Sequence, residues 1–134
     1  MDKKIVLSGK KILFVEDDVF FSDMISVKLN GVGCILFNVA SGEQAISLLK
    51  KEKLDLIILD LMLPGDMDGF AILEKIKSDE NLKNIPVVIL SNLGRIEDIE
   101  KGMRLGAFRY LTKALVSPTE IVENVSLALN PKNV

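Results

Sequence analysis

Asp60 closes a short apolar run, residues 54–59, and Leu61-Met62-Leu63-Pro64-Gly65 follow it. A carboxylate at the end of a buried strand can serve as a nucleophile when other groups neutralise the charge it handles. Such groups recur at the ends of other apolar runs. Glu16-Asp17-Asp18 follows residues 11–15, Ser91-Asn92 follows residues 87–90, and Lys113 lies just past residues 108–111. Clustered carboxylates resist ionising beside one another, and a divalent cation removes that penalty. Magnesium favours oxygen ligands and keeps several waters beside one or two carboxylates; Glu16, Asp17 and Asp60 fit that description. Lys113 can pair with Asp60 and later with a phosphoryl oxygen, while Ser91 can hydrogen-bond another. Phosphoryl transfer needs positioning and charge neutralisation more than covalent chemistry. This set supplies both, with Asp60 as nucleophile.

The groups converge only if the apolar runs are parallel strands of one sheet, because sites in open α/β sheets form at the carboxyl ends of strands. The sequence supports that arrangement. After the first run, Phe20, Phe21, Met24, Ile25, Val27 and Leu29 are spaced to build one apolar helix face, stopped by Gly31 and Gly33. Residues 34–37 form the second strand candidate, and Ser41 can cap a helix carrying Ala45, Ile46, Leu48 and Leu49. A Pro/Gly/Asp-rich loop, residues 64–69, leads to a third helix marked by Phe70, Ile72, Leu73 and Ile76. Pro86 opens the fourth strand. Ile96, Ile99 and Met103 mark the fourth helix, which Gly106 ends. Ser117-Pro118-Thr119-Glu120 has the pattern of a capped helix start, with Pro at the first helical position. Five β-α units in series predict an α/β fold: a five-stranded parallel sheet with helices on both faces.

Composition bounds the function. The 134 residues suit one domain, with residues 1–10 and 130–134 expected as tails around a domain at 11–129. Lys and Arg number 17 against 19 acids, so no basic excess points to direct nucleic-acid binding. The chain has no histidine, which excludes histidine bases, histidine metal ligands and an internal phosphohistidine. Cys34 stands alone, so no internal disulfide forms and a reducing cytoplasm is the expected location. The longest apolar stretch is interrupted by Asp55 and Asp60, which argues against a membrane span.

Four segments, Phe14-Val15-Glu16-Asp17-Asp18, Leu59 to Gly65, Leu90-Ser91 and Tyr110-Leu111-Thr112-Lys113, resemble the signatures of response-regulator receiver domains in order and spacing. The likeness is to single-domain receivers of the chemotaxis kind. It implies a flavodoxin-like doubly wound sheet of strand order 2-1-3-4-5. It implies Mg2+ held by Glu16, Asp17, Asp60 and the Met62 backbone carbonyl, with Asp17 the direct ligand of the acidic pair. It implies that Asp60 is phosphorylated by a sensor histidine kinase, a phosphotransfer protein or a small phosphodonor. Ser91 and Lys113 would bind the phosphoryl group. Tyr110 holds the family's aromatic switch position and would move inward with Ser91.

Two positions depart from the pattern. Ala114 follows the lysine where the family commonly has proline, often in the cis form; a cis bond before a non-proline residue costs about 3–4 kcal/mol. Asp66 is the expected one-residue insertion, bulging into solvent. Bland explanations exist for single residues. Asp60 alone has the chemistry of a turn cap, and the acids at 16–18 could be a solvated helix start. A haloacid-dehalogenase-type phosphatase would place an acid where Met62 stands. A flavodoxin-like carrier would need a phosphate loop where Glu16-Asp17-Asp18 stands. A phosphorylation-independent docking module remains as the alternative to the switch. The fourth helix, fifth strand and fifth helix form the family's usual partner face, here with Arg95, Glu97, Asp98, Lys101, Arg104 and Arg109, suited to a downstream protein target or a homodimer. Met62 and Leu93 are apolar and orient no water, so the phosphorylated form is expected to lose its phosphoryl group slowly.

Overall fold

The computed structural model describes residues 5–130. Its five strands are β1 (Lys11–Val15), β2 (Ile35–Val39), β3 (Leu56–Leu59), β4 (Val87–Ser91) and β5 (Arg109–Thr112). They form one sheet in the order β2-β1-β3-β4-β5, and every neighbouring pair is parallel. The helices are α1 (Val19–Gly31), α2 (Gly42–Leu49), α3 (Gly69–Ser78), α4 (Ile96–Arg104) and α5 (Pro118–Leu129), with a 3-10 turn at Lys113–Leu115. The expected class and strand order are both observed.

Side chains alternate across the sheet, so each central strand feeds two cores. Ile12, Phe14, Ile58 and Leu90 face one side, where they meet Ile25 and Leu29 of α1 and Ile121 and Val125 of α5. Leu13, Ile57, Leu59 and Ile89 face the other, with Ala45 and Leu49 of α2 and Ile72, Leu73 and Ile76 of α3. Every residue of β3 and β4 is buried, as parallel strands covered on both faces must be. Helix starts follow the sequence: Asp18, Ser41, Asp68 and Ser117 each accept a backbone N–H of the first turn, and Ser117 forms a reciprocal capping box with Glu120.

Five details differ from expectation. β2 runs to Val39, and Cys34 lies just before it, buried in the core. β5 starts one residue later, at Arg109. In α1 only Ile25 and Leu29 of the apolar set are fully buried; Phe20, Met24 and Val27 lie on the outer face, Phe20 at 90% exposure. In α4, Ile96 and Met103 are exposed, and Gly102 is the buried residue. Mean spacing marked these helices correctly but did not say which side meets the sheet. Residues 5–10 are not wholly a tail. Leu7 is buried in the α1/α5 core, Ile5 packs against it, and the Leu7 and Gly9 amides donate to Val32 and Gly33 carbonyls. Residues 1–4 and 131–134 lie outside the described residues.

Candidate functional site at the carboxyl edge

Topology alone brings the expected residues together. β1 and β3 are hydrogen-bonded neighbours, with Val15 level with Leu59, so Glu16 and Asp60 emerge side by side. β4 flanks β3, and Ser91 lies level with Thr112, the residue before Lys113. Glu16, Asp60 and Ser91 are all buried polar residues, whereas Asp17 is exposed at the mouth.

Asp60 is held on both oxygens. Its Oδ1 accepts the Met62 N–H at 3.0 Å and its Oδ2 accepts the Lys113 ammonium at 3.0 Å. Glu16 Oε2 accepts the Asp18 N–H at 3.0 Å. Glu16 Oε1, buried, faces the Lys113 ammonium in a close ion pair. Lys113 therefore bridges two buried carboxylates. Burial pushes the Glu16 carboxyl above its ordinary range, against the pull of Lys113. Burial opposes the charge of Lys113 too, yet its bonds to Glu16 and Asp60 outweigh burial and hold its pKa above the ordinary value.

One oxygen each of Glu16, Asp17 and Asp60 lies within 4.8 Å of the others. Three carboxylates against one ammonium leave excess negative charge, which suits a hard divalent cation with oxygen ligands and waters. Met62 is exposed beside the cluster and Asp66 is exposed in the loop beyond.

The remaining expected residues lie behind this edge. Ser91 Oγ accepts the Leu93 N–H at 3.4 Å. Tyr110 is half-buried; its hydroxyl donates to the Leu93 carbonyl and its ring lies against Gly102 of α4. Burial first, then the charges of Asp98 and Asp60, push its pKa up to about 12, so it remains a neutral donor. No peptide bond among the described residues is cis, so the Lys113–Ala114 bond is trans and the lysine begins the 3-10 turn.

Two contributors escaped the sequence reasoning. A Cβ at Gly69 would lie 2.4 Å from the Asp60 carbonyl oxygen, so the start of α3 can close on the end of β3 only with glycine there. Its signal was the Asp68-Gly69 pair. The other is Phe21, whose ring centroid lies 4.6 Å from the Lys113 ammonium.

A family model for the response regulator receiver domain matches residues 12–126. The chain belongs to that family. It is 34% identical over 108 residues to sporulation initiation phosphotransferase F of Bacillus subtilis, covering 80% of this chain and 84% of that protein. It is 39% identical over 103 residues to the DNA-binding dual master transcriptional regulator RpaA of Synechocystis, covering 77% of this chain and 42% of that protein. A response regulator crystal structure from Chloroflexus aurantiacus superimposes with a TM-score of 0.84 at 31% identity, over 91% of this chain and 98% of that one. The chain spans about half the length of the first curated relatives it matches. Among the described residues no helix is long and apolar enough to cross a membrane.

Proposed function

We propose that this domain is a phosphorylation switch in which Asp60 accepts the phosphoryl group. The observation that carries the reading is the buried Asp60 carboxylate, 3.0 Å from the Lys113 ammonium and grouped with Glu16 and Asp17. An Asp60 oxygen attacks phosphorus, and a P–O bond forms as the bond to the donor breaks. With a phosphohistidine donor the P–N electron pair returns to the imidazole. The 134 residues include no histidine, so that imidazole lies outside them, as on a histidine kinase or phosphotransfer protein. Acetyl phosphate would be the small-molecule equivalent.

Glu16, Asp17, Asp60 and the Met62 carbonyl would hold Mg2+, which supplies charge neutralisation for the transferred group. Lys113 holds and orients Asp60 and is placed to meet a phosphoryl oxygen. Ser91 sits behind Asp60 on the neighbouring strand, where its hydroxyl can turn from the Leu93 amide to a phosphoryl oxygen. Leu93 is also the acceptor of Tyr110, so movement of Ser91 and this loop disturbs the Tyr110 bond and the α4–β5–α5 face. That face would dock a downstream protein or a second copy.

Intact mass after incubation with magnesium and acetyl phosphate tests the chemistry. A gain of one phosphoryl group in the wild type, absent in Asp60→Asn, is expected; no gain in the wild type would favour the docking module. Met62 is exposed at the rim and Leu93 half-buried, and neither can orient a water, so the phosphoryl group should persist. A time course of the same mass would contradict this if the added phosphate disappeared within seconds.

A further inference from the structure

Lys113 Nζ has three close neighbours. Asp60 takes a hydrogen bond, Glu16 forms an ion pair, and the face of the Phe21 ring lies 4.6 Å away, centroid to nitrogen. An ammonium this close to a ring face is attracted by the ring's quadrupole, the more so when water is excluded. The Lys113 side chain is 11% exposed, so little water competes.

Phe21 is itself held in register. The Asp18 carboxylate caps α1 by accepting the Phe21 N–H at 3.2 Å, and the Asp18 amide is bound to Glu16 Oε2 at 3.0 Å. The ring also packs against the α1/α5 core. The segment that supplies Glu16 thus also supplies, five residues on, the third neighbour of the lysine.

The proposed reaction changes the other two neighbours. Phosphorylation turns the Asp60 carboxylate into an acyl phosphate, and a cation would draw on both Glu16 and Asp60. The ring keeps its charge distribution throughout. Resting on the phosphoacceptor reading of Asp60, we infer that Phe21 is a positioning residue that keeps the Lys113 ammonium at the site while its carboxylate partners are engaged elsewhere. Simple core filling is the competing role for the same ring. Leucine could serve that role, but it has no π face to offer the cation.

Phenylalanines bearing one, two and three ring fluorines, placed at position 21, keep the shape and progressively weaken the ring face. The rate constant for phosphorylation by acetyl phosphate with magnesium should fall stepwise across the series, to about one-fifth at three fluorines, while the thermal midpoint stays in place. Phe21→Leu should show a similar loss without unfolding. The 15N resonance of the Lys113 ammonium, measured on the magnesium-free protein, should move in step with fluorination. A flat rate series with an unmoved Lys113 resonance would overturn the inference and leave Phe21 as packing. If the wild type takes up no phosphoryl group, the proposed function fails, and the Lys113 resonance alone decides the positioning.

Discussion

β3 and α4 sit one strand apart and are held in opposite ways. All four residues of β3 are fully buried, with packed side chains on both faces, and Asp60 follows directly. α4 has one buried residue, a glycine, and shows Ile96 and Met103 to solvent. Chemistry that depends on fixed distances stands on the rigid element. The helix that can shift most cheaply is the one linked to the site through Leu93 and Tyr110. The switch proposed above needs both: a site that does not move when charge changes, and a neighbour that does.

That contrast can be broken by substitution. Ile58→Ala leaves a cavity in a core with no room to collapse and should cost about 2–5 kcal/mol in chemical denaturation. A cost below about 1 kcal/mol would mean that β3 is not a rigid element. Gly102→Val comes next. A Cβ there would meet Ile89 Cδ1 at 2.7 Å and the Tyr110 ring at 3.0 Å, so α4 must lift or the ring must turn. The expected cost is about 1–3 kcal/mol, with a changed Tyr110 fluorescence. Unchanged emission and stability would show that α4 does not rest on Tyr110. Ile96→Ala, the same deletion as Ile58→Ala made on the exposed helix, should stay within about 0.5 kcal/mol of wild type. A larger loss would mean that α4 is covered by a second molecule in solution.

Much of this division was legible in the sequence, for physical reasons. Strands buried on both faces read as unbroken apolar runs, so β3 and β4 announced themselves, and their ends located Asp60 and Ser91. Caps were equally plain, because Ser117-Pro118-Thr119-Glu120 satisfies its own backbone donors wherever it stands. What failed was orientation. Phe20, Met24 and Val27 are as apolar as Ile25 and Leu29, and only the docking angle of α1 puts them outside. The same holds for Ile96 and Met103, because α4 meets the sheet through a residue with no side chain. Within the site, the carboxylates and the lysine were visible as residue types at strand ends. The Phe21–Lys113 contact joins residues far apart in sequence, and Asp68-Gly69 marks a turn without showing how closely the Asp60 backbone approaches it.

Amide hydrogen exchange, followed residue by residue with magnesium alone and with magnesium plus beryllofluoride, tests the link between the two regions most directly. Beryllofluoride would stand in for the phosphoryl group that the proposed function puts on Asp60. The account predicts altered exchange in α4 and in the loop from Asn92 to Arg95, with β3 unchanged. Equal exchange in α4 under both conditions, in a protein that demonstrably binds beryllofluoride, would contradict it.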